Sequence, residues 1–142
     1  MDIAVYSSLL YGLEHCAVGA GDQRSLDGFF IRLAKRVLHL PYDYHLLYEE
    51  AEDKLGIQRP AVRLTRERLQ WTDHMLCSDD EVLREVIDFI PEGRARGHGR
   101  PRLRFYDTVK ADLKGRGVAI TGSQFWAQLK ELAANRIEWQ KL

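Results

Sequence analysis

Arg94, Arg96, Arg100, Arg102 and Arg104 fall on a backbone that also carries Gly93, Gly97 and Gly99. Glycine removes side-chain bulk, so such a segment can approach a phosphodiester chain closely. Each guanidinium fork can then take two phosphate oxygens. The chemistry this pattern suits is phosphate recognition on RNA or DNA, not bond cleavage. Gly99-Arg100-Pro101 also matches the core of an AT-hook, whose arginines lie in a narrow minor groove. His98 stands where that motif has another arginine. The plain alternative is a solvated arginine loop between helices.

A second basic set is Lys54, Arg63, Arg66 and Arg68. Arg59, Arg63 and Arg66 recur at i, i+4 and i+7, which puts them on one face of a helix. They suit a further phosphate-facing surface, with Arg63 and Arg66 as its main contacts. The alternative is a solvated face neutralised by the acidic segment at 79–90.

Catalytic and metal chemistry have weaker candidates. His74 and Cys77 have ligand spacing on a helix, and His15-Cys16 adds two donors, but no Cys-x-x-Cys pair is present. Histidine packing or capping is the expected role of His74. Asp79-Asp80 opens a predicted helix, where carboxylates complement the helix dipole. No nucleophile sits at useful spacing from a base, and no phosphate-cradling loop precedes a Lys-Ser/Thr pair. The expectation is a chain that is not an enzyme on its own and needs no cofactor or metal. Trp71, Trp126 and Trp139 can stack on bases, but each lies near an apolar helical stripe and is expected in the core. Tyr42, Tyr44 and Tyr48 are less constrained, and nothing in the sequence marks them as a platform.

These residues must be positioned by helices. Ile3 to Leu13 reads as a short apolar helix. Asp22 is the expected N-cap of the next, whose Leu26, Phe29, Phe30, Leu33, Val37 and Leu38 keep helical spacing up to Pro41. Further helices are expected over Tyr44–Leu55, closed by Gly56, and over Pro60–Cys77, opened by proline. Ser78 or Asp79 should cap a fifth, ending at Pro91. Pro91 to Pro101 reads as a loop or extended arm. Leu103–Lys114 and a last helix capped by Thr121 or Ser123 follow it. The expected fold is all-α, with about six to seven helices.

Several blocks resemble the region that follows the polymerase core in reverse transcriptases of non-LTR (LINE-like) retrotransposons. Ser8-Leu9-Leu10-Tyr11-Gly12-Leu13-Glu14 is similar to the helix that opens the thumb. Leu26, with Phe29 through Arg36-Val37-Leu38, is similar to the thumb's long helix. Arg66-Glu67-Arg68-Leu69-Gln70-Trp71-Thr72-Asp73-His74-Met75 is close to the family's Arg-Leu-Arg-Trp-Leu-Gly-His pattern. Gly93 to Leu113 resembles its Gly-Arg-Pro-Arg segment and the following Asp-x-x-x-x-Asp-Leu helix. Trp126, Ala133, Asn135-Arg136 and Trp139 resemble its Ala-x-Asp-Arg-x-x-Trp end. The blocks stand in family order along nearly the whole chain, and they account for the Gly-Arg-Pro-Arg run without an AT-hook. Gln70, Thr72, Asp73, Asn135 and the Phe105-Tyr106 pair depart from the pattern.

The loop from Pro91 to Pro101 marks a boundary between a larger helical unit over 1–90, which the resemblance makes a thumb-like helical bundle, and a two-helix C-terminal tail over 103–142, with a basic linker over 91–102 between them. The resemblance implies a template–primer or element RNA as partner, and a polymerase core upstream whose aspartates hold the metals. The other reading is a helical protein–protein interaction module or a retroelement relic.

Composition agrees with a core-forming chain. Of 142 residues, 45% are apolar, and 21 bases balance 21 acids. A net charge of zero excludes a uniformly basic binder, but the charge is blocked: Asp43–Asp53 and Asp79–Glu92 are acidic, whereas 59–68 and 94–104 are basic. Cys16 and Cys77 are expected as free thiols. No apolar run reaches the ~20 residues of a membrane span, and Met1-Asp2 does not open a signal peptide. An intracellular protein, nuclear or cytoplasmic and not secreted, is expected.

Overall fold

The helix with the clearest apolar spacing sets the first layer. The computed structural model describes residues 7–78, 82, 103–120 and 124–139, and in it this helix, α1, spans Ala20–Val37. It starts ahead of Asp22, which sits inside the first turn. From there its Oδ2 accepts the Gly19 N–H at 3.2 Å. Phe30 and Ala34 are fully buried, whereas Phe29 is 37% exposed. The apolar stripe therefore centres on positions 30 and 34, and the residue before Phe30 is turned about 100° away. His39, in a left-handed conformation (φ 52), reverses the chain ahead of Pro41. The Leu40 N–H then closes back on the Lys35 carbonyl at 2.9 Å.

The second helix, α2, covers Tyr48–Leu55, four residues shorter at its start than its sequence suggests. The Tyr44 N–H instead bonds the Pro41 carbonyl in a turn, and Leu47 is extended at the N-cap. Gly56 (φ 67) ends α2 as expected. The central helix, α3, spans Pro60–Cys77. Its first turn is satisfied from outside. Glu52 Oε1 accepts the Arg59 N–H at 2.7 Å, and Asp27 Oδ1 accepts the Ala61 N–H at 3.1 Å. Carboxylates from α1 and α2 thus meet the positive end of α3, where the dipole favours them.

After the gap in described residues come α4 (Phe105–Gly115), α5 (Phe125–Ala134) and the single turn α6 (Arg136–Trp139). Residues 7–10 are also helical, and Leu13–His15 form a 3-10 turn against α3. The described residues hold six α-helices of assigned span and no strand. The fold is all-α. No described helix is long and apolar enough to cross a membrane. Of the helix expected at 79–90 only Val82 is described, and it is helical and exposed; the cap at Asp79, the linker at 91–102 and the caps at Thr121 and Ser123 lie outside the described residues.

Helix α3 touches α1, α4 and α5, so it forms the axis of the fold. One core cluster lies at the α1–α2 end and contains Leu10, Phe30, Ala34, Leu46 and Ala51. The other joins Leu69, Met75 and Leu76 of α3 to Val109, Leu113, Phe125, Leu129 and Trp139. The helices of segment 103–142 therefore share a core with α3. Aromatic edges reinforce this end: Tyr106–Phe125 at 4.6 Å, Phe125–Trp126 at 5.0 Å and Trp71–Phe105 at 5.3 Å between centroids. All three tryptophans pack at this second cluster, as expected.

Truncating Phe30 tests the register of α1. Phe30→Ala should cost about 3–5 kcal/mol, and Phe29→Ala clearly less, both read by urea unfolding. Equal losses would contradict the stripe.

Candidate nucleic-acid interface

The segment of greatest interest is described only at its C-terminal end. Arg94, Arg96, Arg100 and Arg102 lie outside the described residues. Arg104 is the N-cap of α4 and is exposed. Its backbone N–H donates to Asp107 Oδ2 at 3.1 Å, and its guanidinium Nε stands 3.8 Å from the same oxygen. The cap fixes the backbone, while the half-exposed guanidinium keeps donors for a phosphate.

The basic face expected on α3 divides. Arg66 is exposed. Arg63 Nε donates to Glu67 Oε1 at 2.7 Å, one turn along the same helix. Lys54 is likewise answered within α2 by Glu50 at 2.7 Å. That hydrogen bond, helped by the Tyr44 hydroxyl, lowers the Glu50 pKa, and it raises that of Lys54. Arg59 lays its guanidinium over the Tyr48 ring at 5.3 Å.

Arg68, grouped above with the phosphate-facing residues, has no exposed surface at all. It cannot reach a backbone in solvent. Its Nη1 pairs with Asp112 Oδ2 of α4, and Thr65 Oγ1 stands 3.3 Å from Asp112 Oδ1. Arg68 Nε and Nη2 are buried without protein partners. Burial pushes the Asp112 carboxyl above the usual carboxylate range, with Arg68 acting in the opposite direction. A periodic signal did exist for Arg68. Leu64, Arg68, Thr72 and Met75 occur at helical spacing, so the arginine stands on the apolar stripe.

Two departures from the retroelement pattern have structural roles here. Thr72 is buried, and its Oγ1 donates to the Arg68 carbonyl at 2.8 Å. Asp73 accepts from Arg136 Nη1 of α6 at 2.6 Å. Trp71 is half-buried between His15 at 4.7 Å and Phe105 at 5.3 Å. The ion pairs Arg68–Asp112 and Asp73–Arg136 thus tie the third block of the resemblance to the fourth and the last.

His74, expected to pack or cap, is exposed, and Cys16 and Cys77 are free and exposed. Among the described residues no three His, Cys, Asp or Glu side chains gather as a metal site.

No family model matches this chain, and no curated protein or solved structure gives a significant match.

Removing one member of the buried pair should be worse than removing both. Asp112→Leu should cost about 3–5 kcal/mol, because it leaves the buried guanidinium without its counter-charge. R68M/D112L should recover most of that loss. Additive losses in a denaturant-based double-mutant cycle would contradict the pairing. The Asp112 titration has a definite sign. A folded pKa above the unfolded one means the folded state binds more protons, so its stability contribution falls as pH rises through the range just above ordinary carboxylates. Wild type should lose stability relative to Asp112→Asn across that window.

Proposed function

We propose that this chain is the thumb-like and post-thumb part of a non-LTR retrotransposon reverse transcriptase. In this reading it holds RNA or DNA, as template–primer, element RNA or an RNA–DNA hybrid, and a polymerase core elsewhere in a larger intracellular protein performs the chemistry. The reading rests on the five sequence blocks, which occur in family order along nearly the whole chain. The Arg68–Asp112 ion pair supports it, because it joins matched positions of the third and fourth blocks.

Arg94, Arg96, Arg100, Arg102 and Arg104 carry the main phosphate contacts, and exposed Arg66 of α3 adds to them. Arg63 contributes by exchanging Glu67 for phosphate. Neutralising about four or five phosphates on a duplex predicts that log K falls with log salt at a slope of roughly −4. R100A/R102A/R104A should flatten that slope by about 2.7 and leave melting unchanged. The internal pairing of Arg63, Lys54 and Arg136 favours a second reading, a helical protein–protein interaction module. Under it the triple variant loses stability and shows no binding phenotype. A wild-type slope near zero, or no binding at low salt, rejects the first reading.

A further inference from the structure

A cleft of about 830 Å³ opens between α1 and the chain leading into α2. Residues 28, 31, 32, 35 and 36 of α1 line it, and their spacing places them on one helix face. Its charge is of one sign. Arg32, Lys35 and Arg36 line the cleft, and no acidic residue does. Some basic side chains elsewhere are answered internally, Lys54 by Glu50, Arg63 by Glu67 and Arg136 by Asp73. Among the described residues no carboxylate pairs with Arg32, Lys35 or Arg36.

The rest of the lining is largely apolar and aromatic. Ile31, Leu40 and Leu46 also line the cleft, so a bare inorganic anion would leave much of its surface uncovered. Tyr42 is 93% exposed. Its loop is pinned by Lys35, whose Nζ donates to the Tyr42 carbonyl at 2.9 Å and lies 5.8 Å from the ring centroid. At Gly28 an added Cβ would stand 3.5 Å from Arg32 Nη1, so that guanidinium lies back along the helix at this end of the cleft. Unanswered cations beside an exposed, positioned ring match what single-strand binders offer: charge for the phosphates and a face for the base.

We infer that this cleft binds an unpaired nucleotide of a single-stranded nucleic acid. Arg32, Lys35 and Arg36 contact its phosphates, and its base stacks on Tyr42. The site uses none of the residues at 94–104, so it stands apart from the function proposed above.

The test is fluorescence anisotropy of the full chain with a short, labelled oligothymidylate. Tyr42→Ala should weaken binding about tenfold. R32A/R36A should make the salt slope shallower by roughly 1.4. Both should leave melting unchanged, because the three side chains are exposed. R100A/R102A/R104A should leave the effect of Tyr42→Ala intact. Unchanged affinity in Tyr42→Ala with an unchanged slope in R32A/R36A overturns the site, whatever the triple variant does. Displacement of the oligonucleotide by polyglutamate with equal loss in Tyr42→Ala also overturns it, by making the ligand an acidic peptide. Losses in the cleft variants alone, with the triple variant binding as wild type, uphold the cleft and reject the role of 94–104.

Discussion

A guanidinium sealed from water must be answered by charge and hydrogen bonds, and the arrangement of α3 against α4 follows from that demand. Arg68 lies on the buried stripe of the central helix. Only a carboxylate from another element can reach it, and Asp112 does so from α4. The pair fixes which face of α4 turns inward, and Val109 and Leu113 on that face complete the second core cluster. Such pairs add little net stability compared with an apolar core, because desolvating two charges is expensive. What they impose is register. A slip of α4 by one residue would strand a buried charge, so the apolar contacts alone do not choose the docking.

The same logic runs through the rest of the fold. Asp27 and Glu52 reach across from α1 and α2 to the open N–H groups of α3, and Asp73 draws in Arg136 of α6. Acids placed on neighbouring elements thus hold the helices in order around α3. This accounts for a chain with zero net charge that still keeps local basic surfaces. Bases that answer these acids are structural. Arg32, Lys35 and Arg36 stand together in one cleft with no carboxylate partner, and that makes them candidates to meet a ligand.

Much of the fold was legible because its signals are local. Pro60 and the apolar spacing after it give both ends of α3, and Gly56 gives the end of α2. The start of α2 was not legible. Tyr44 to Leu47 have ordinary helical tendencies, and a turn onto the Pro41 carbonyl removes them from the helix. The role of Arg68 was hidden for a different reason. Arginine on a helix is usually solvated, and the partner that buries this one lies 44 residues further on. Thr72 and Asp73 read as departures from a pattern, and only their partners Arg68 and Arg136 reveal what they do. Tyr42 and Lys35 likewise carry no joint signal until the loop folds back on α1.

Arginine-selective modification, mapped by mass spectrometry with and without a primer–template hybrid, tests the account most directly. Arg68 should stay unmodified in both states. Arg94, Arg96, Arg100, Arg102 and Arg104 should react in the free chain and be protected by the hybrid. Reaction at Arg68 in the native chain, or equal reactivity at 94–104 with and without nucleic acid, would contradict it.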